Sequence, residues 1–135
     1  LDYHLYFEEW WARDIEYMVR RDRNHPCVIT YSIGNEITER DGGNDGAEWS
    51  RKLAAKVREF DSTRFVTSAI CGVFPEPEVE DDEDDSAGTN FDLNLMQDNS
   101  VWNKATENYC KPLDIVGYNY LRDVYEESHE LFRNV

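Results

Sequence analysis

The sequence predicts an α/β fold built on parallel strands, and three observations carry that prediction. Amphipathic helical stripes alternate with short β-branched runs along the chain. The first such run, Cys27-Val28-Ile29-Thr30-Tyr31-Ser32-Ile33, is nearly continuous in apolar or β-branched character, which suits a parallel strand buried on both faces. The runs are separated by helical stretches, and strands spaced in that way imply right-handed βαβ units.

The elements follow in order. From about Tyr6 to Asp22, apolar side chains at Phe7, Trp10, Trp11, Ile15, Met18 and Val19 make one helical stripe. Asn24-His25-Pro26 ends that helix, because proline disfavours helical geometry at the residue before it. The strand from Cys27 to Ile33 then runs to Gly34-Asn35-Glu36. A glycine-rich loop, Asp41 to Gly46, leads to a second helix with its stripe at Trp49, Leu53, Val57 and Phe60. Phe65 to Ile70 reads as a second strand. Val101 to Tyr109 reads as a short helix, Asp114 to Tyr118 as a third strand and Val124 to Phe132 as a final helix. Three βα units of this kind fit part of a (β/α)8 barrel, which needs about 250 residues in full, or a small doubly wound sheet. No G-x-G-x-x-G turn follows the first strand, so a dinucleotide site is not supported.

Composition narrows the function. The 135 residues carry 29 acids against 14 Lys and Arg, a net charge of −15 that repels phosphate backbones and argues against nucleic-acid binding. No apolar run approaches the ~20 residues of a membrane span. Eight of the acids lie between Glu76 and Asp85 with no base among them; without them the net charge would be −7. That Pro- and acid-rich stretch, near residues 75–88, reads as a solvated insertion. Hard carboxylate oxygens are what Ca²⁺ takes, but the spacing of a calcium loop is absent there and fits Asp41 to Gly46 poorly. The cysteines Cys27, Cys71 and Cys110 are odd in number and widely spaced, which supports neither a disulfide framework nor a zinc site and points to a reducing compartment. The histidines His4 and His129 are too far apart in sequence, and too far from any cysteine, to propose a metal set.

Glu36 is the sharpest local feature. In a (β/α)8 barrel the carboxyl ends of the strands face the active site, and Glu36 follows such an end. An apolar surround disfavours the charged form of a carboxylate, and a neutral carboxyl can act as a general acid. Asn35 beside it can both donate and accept hydrogen bonds, as a sugar hydroxyl requires. Taken alone, Glu36 could equally cap the next helix or pair with an arginine.

The wider string favours the catalytic reading. Arg21-Asp22-Arg23-Asn24-His25-Pro26-Cys27-Val28-Ile29-Thr30-Tyr31-Ser32-Ile33-Gly34-Asn35-Glu36 strongly resembles the segment around the acid/base residue of glycoside hydrolase family 2, the family of β-galactosidases, β-glucuronidases and β-mannosidases. Its usual pattern there is R-D-x-N-H-P-S-[VI]-[IV]-x-W-S-x-G-N-E; this chain departs from it at Cys27 and Tyr31. Asp61-Ser62-Thr63-Arg64-Phe65-Val66-Thr67 is similar to the family's D-P-T-R-P-V segment. Asp114-Ile115-Val116-Gly117-Tyr118-Asn119-Tyr120, with Tyr125 beyond it, is similar to its D-[VI]-[IV]-x-x-N-x-Y segment. The resemblance covers roughly three quarters of the chain and leaves out Glu76 to Asn108.

The resemblance implies residues 1–135 as the central part of a TIM-barrel catalytic domain, with about three βα units, from a retaining β-glycosidase acting on terminal β-linked sugars. Such enzymes use two carboxylates about 5–5.5 Å apart. Glu36 corresponds to the acid/base. The nucleophile is expected on the next strand, beyond Val135, and both chain ends read as cut. Asn119 and Tyr125 fall at positions of the family's substrate pocket, and Asn35 is the third substrate-binding candidate. Some members carry a second pocket tyrosine where this chain has Leu121, and Tyr120 is the candidate substitute. No cofactor enters the chemical step; some relatives use Mg²⁺ or Na⁺, but no ligand set is readable. The implied partner is a β-glycoside, with no nucleic acid and no membrane, in a homo-oligomeric parent; the isolated chain is expected to self-associate and to be inactive. The rivals are another retaining (β/α)8 glycosidase sharing the Asn-Glu pair, and a non-catalytic α/β module binding through its acidic loop. His25 is expected to order the turn before Pro26. Trp10, Trp11 and Trp49 are expected in the core, Tyr125 either there or in the pocket, and Trp102 is a weaker candidate for stacking on a sugar.

Overall fold

The computed structural model describes residues 2–41, 45–71, 106–121 and 125–131. The insertion near 75–88 and Trp102 lie outside them. Three parallel strands form one sheet, β1 (Thr30–Asn35), β2 (Phe65–Ile70) and β3 (Ile115–Tyr118), in the spatial order of the chain. Helix α1 (Phe7–Asp22) precedes β1, α2 (Gly46–Phe60) joins β1 to β2, and α3 (Tyr125–Leu131) follows β3. Residues 106–110, just before β3, are also helical. Chain order and spatial order coincide, as in the sheet of a (β/α)8 barrel.

The core lies between the sheet and its helices. Val19 from α1, Ala54 and Val57 from α2, and Tyr31, Val66 and Ile70 from the strands pack with Tyr109, Cys110, Leu113 and Leu121. Full burial of Val57 or Ile70 contributes about 1.5–3 kcal/mol each. The stripe expected on α2 is turned slightly: Ser50, Leu53, Ala54 and Val57 are buried, while Trp49 is partly exposed and packs with Phe7 and edge-on with Trp11. Ser50 donates its hydroxyl to the Tyr109 carbonyl at 2.7 Å, tying α2 to residues 106–110.

Three expectations need correction. β1 starts three residues later than expected because the chain turns after α1, with His25 N–H donating to Asp22 O at 2.9 Å and Val28 N–H to His25 O at 3.1 Å. Pairing with β2 begins only at Thr30 opposite Phe65. β1 is also not buried on both faces: Tyr31 is buried but Ser32 is exposed and Ile29, just before the strand, is 74% exposed. The helices cover one face, and among the described residues nothing covers the other. Trp10 and Trp11, both partly exposed, likewise stay out of the buried core. The Trp10 ring lies under the Arg13 guanidinium, 3.4 Å from the ring centroid.

Two carboxylates fasten the amino ends of the strands. Asp61 accepts Thr63 N–H at 2.9 Å and the Thr63 hydroxyl at 2.6 Å, which makes the Asp-Ser-Thr turn before β2. Its second oxygen accepts Arg64 at 2.6 Å, and the Arg64 Nε donates to Val28 O at 2.7 Å, linking the approach of β2 to that of β1. Asp114 does the same for β3: one oxygen accepts both Val66 N–H and Arg58, each at 2.8 Å.

Candidate functional site

The carboxyl end of the sheet gathers the candidate residues. Between Ser32 and Asn35 the register with β2 slips: three steps on β1 span the two from Thr67 to Ala69. This is a β-bulge, a device that re-aims side chains at strand ends. The chain leaves it at Glu36, whose φ of 53° lies in the left-handed region, a conformation that costs a non-glycine residue about 1–2 kcal/mol. Glu36 N–H donates to Ala69 O at 2.8 Å, so the strained residue is anchored to β2.

Asn119 completes the group from the far side of the sheet. It follows β3, with its own N–H on Ile70 O at 2.8 Å. Its side-chain amide donates to Glu36 Oε1 at 2.7 Å and to Asn35 Oδ1 at 3.1 Å. Both acceptors can only accept there, which fixes the orientation of the Asn119 amide. The structure therefore brings Asn35, Glu36 and Asn119 together. Tyr125 lies elsewhere: it packs on Tyr118 at a ring separation of 5.3 Å and lines an open groove of about 550 Å³ along β3 with Asp114, Ser128 and His129. Leu121 is buried in the core, and Tyr120, at a φ of 67°, projects with 83% of its surface exposed.

Three residues near the site had not stood out in the sequence. Arg40, buried, donates to Ile37 O at 2.6 Å and to Cys71 O at 3.0 Å, holding the loop after Glu36 to the end of β2. Ser68 and Tyr109 are fully buried, with their hydroxyl oxygens 2.9 Å apart, and Ser68 also reaches Gly34 O at 3.0 Å. No local pattern marks them, since Arg40 sits in a charged stretch and Ser68 and Tyr109 are 41 residues apart. Burial pushes the Cys71 thiol and the Tyr109 hydroxyl up. Among the described residues no three His, Cys, Asp or Glu side chains converge to hold a metal ion.

What the arrangement offers is a carboxyl group on a parallel-sheet rim, oriented by one amide and flanked by another. Such a group can give and take a proton at a polar ligand. Residues 7–125 match the model of the TIM barrel domain of glycosyl hydrolases family 2. The beta-galactosidase BoGH2A of Bacteroides ovatus is 55% identical over 38 residues, which cover 28% of the chain and 4% of that protein. A Formosa agariphila protein provisionally named a beta-glucuronidase is 37% identical over 62 residues, 46% of the chain and 5% of the relative. A solved structure of a glycosyl hydrolase family 2 member from Bacteroides cellulosilyticus superposes with a TM-score of 0.72 at 30% identity, covering 98% of the chain and 14% of that protein. The matches thus span only a small share of the length of each relative.

Proposed function

The chain belongs to the TIM barrel domain of glycosyl hydrolases family 2, and on that premise we propose that it carries the acid/base half of a retaining β-glycosidase. The observation that supports this reading is the Glu36 carboxylate at the carboxyl end of β1, held through Oε1 by Asn119 at 2.7 Å. With Oε1 so held, Oε2 is the oxygen placed to carry the transferred proton. In the first step Glu36 gives its proton to the glycosidic oxygen as the bond to the anomeric carbon breaks and a second carboxylate bonds to that carbon. In the second step the Glu36 carboxylate takes a proton from water, whose oxygen attacks the anomeric carbon and releases the second carboxylate. Asn35 and Asn119 offer amides to sugar hydroxyls as well as to each other. Tyr125 is proposed as a substrate contact only on its place in the motif. The substrate is a terminal β-linked sugar, and the named relatives make β-galactosides and β-glucuronides the first to try.

The test is Glu36→Gln in the full-length protein. Substrates with poor leaving groups should lose about 10²–10⁴-fold in rate, because they need protonation of the departing oxygen. Substrates with acidic phenol leaving groups should keep the first step and stall at the second, and added azide should restore turnover and give a β-configured glycosyl azide. An equal loss for all substrates, with no azide effect, would refute the assignment. An α-azide product would make Glu36 the nucleophile instead.

A further inference from the structure

We infer that Tyr109 and Ser68 are positioning residues for Glu36, acting through the carbonyl of Gly34 two residues before it. The inference rests on the acid/base reading of Glu36 and adds to it the residues that set its place. A β-bulge interrupts the ladder, and its backbone groups must find other partners. Here the Gly34 carbonyl takes two hydroxyls, Ser32 at 3.1 Å and Ser68 at 3.0 Å, one for each lone pair.

Proton accounting orders the rest of the stack. A carbonyl only accepts, so the single Ser68 proton is committed to Gly34 O. The contact between Ser68 Oγ and the Tyr109 hydroxyl, 2.9 Å, must then be a donation from Tyr109. Burial pushes the Tyr109 hydroxyl up, which keeps it protonated and donating across the working range. Each bond in such a chain polarises the next. The stack runs from the helical residues 106–110, through β2, to the bulge of β1, and both hydroxyl-bearing residues are fully buried.

Gly34 is part of the same device. A Cβ there would lie 3.0 Å from the Tyr109 hydroxyl and 3.1 Å from Ser68 Oγ, so a larger residue would push both hydroxyls back by a few tenths of an ångström. The backbone so clamped is the one that enters the left-handed turn at Glu36. Loosening it lets the carboxylate drift from Asn119, and a displacement of about 1 Å can cost on the order of 10²-fold in rate.

The experiment compares Tyr109→Phe, Ser68→Ala and Glu36→Gln in the full-length protein, with β-glycosides of graded leaving-group ability. Ser68→Ala breaks the same stack at a second point, should Tyr109→Phe fold poorly. Each of the two should lower kcat about 10–100-fold on poor leaving groups, leave KM nearly unchanged, spare the first step on acidic phenols and respond to azide. A fall in Tm with an unchanged leaving-group profile in both variants, beside a normal Glu36→Gln profile, would overturn the positioning role and leave the acid/base reading standing. A flat profile in Glu36→Gln itself would overturn both.

Discussion

The side-chain amide of Asn119 meets Oε1 of Glu36 at 2.7 Å, although the two residues leave strands that are not neighbours. The bond passes over the end of β2, whose Ala69 and Ile70 carbonyls anchor the backbone of both partners. Two strand ends are thus fixed to a third before any ligand arrives. Pre-organisation of this kind lets a carboxyl act without rearranging.

Asn119 is therefore the first position to test in the full-length protein. Asn119→Ala removes a donor from a carboxylate and should reduce kcat/KM about 10-fold or more. Asn119→Asp should be worse, because its oxygens would face two acceptors, Asn35 Oδ1 and Glu36 Oε1. Unchanged activity of both variants relative to Asn119 itself would show that the amide proton does not matter.

Asp61 should govern acid stability. The Thr63 hydroxyl and N–H, with Arg64, hold its carboxyl down at about 2 against the opposing effect of burial. Because the folded value is depressed, the unfolded chain binds the extra proton at intermediate pH, and stability rises with pH there. The stabilisation, at most about 2 kcal/mol, is complete above about pH 4 and lost as pH falls toward 2. Denaturant melts of Asp61→Asn should lose this acid limb; an unchanged pH profile would count against it.

Gly46 opens α2, and a Cβ there would strike the Glu39 carbonyl group, a backbone neighbour that cannot swing away. Alanine is the better helix former by about 1 kcal/mol, so an exposed position would gain from Gly46→Ala. The expectation here is the reverse, a lower Tm. A gain would mean that the loop from Glu39 yields readily.

The thiols should separate by exposure. Cys27 is exposed, whereas Cys71 and Cys110 are buried and burial pushes the Cys110 thiol up to about 12. A maleimide added to the folded 135-residue chain near neutral pH should label one thiol, and all three after denaturation, as mass spectrometry would count. Rapid labelling of Cys110 in the folded state would contradict the packing.

The isolated 135-residue chain is expected to associate. Ile29, Phe65 and Ile115, at the amino ends of the strands, are 74%, 59% and 43% exposed, and β1 and β3 each have one strand neighbour among the described residues. Open edges and apolar surface of this kind promote pairing. Light scattering showing a stable monomer at high concentration would refute it.

The parts of this fold that were legible in sequence are those governed by local pattern. β2 runs from Phe65 to Ile70 as expected, because Asp61 and Thr63 build a turn directly before it and nothing interrupts the strand. β1 departs from its expected bounds at both ends, since the turn around His25 delays its start and the bulge at Ile33 and Gly34 lengthens it. Neither effect has a signature in β propensity. That Glu36 ends a strand could be read from the Gly-Asn-Glu string, but its bond to Asn119, 83 residues away, is a product of topology. Ser68 and Tyr109 were invisible for the same reason: a buried serine in a strand and a tyrosine on a helix look like packing until the fold stacks their hydroxyls. Tyr125 shows the converse, a motif position that the fold sets beside Tyr118 along β3.

The carboxylates Asp61 and Asp114 tie the strands at one end, while Asn35, Glu36 and Asn119 cluster at the other. A protein built this way can be revised at one rim without loosening the opposite one. In a saturation library, substitutions at Asp61, Arg64, Arg58 and Asp114 should register as changes in abundance, and those at Asn35 and Asn119 as changes in turnover at constant abundance. Loops grafted onto the carboxyl rim would then inherit a scaffold whose foundations they do not touch, which is the physical condition for one barrel to acquire new substrates by small steps.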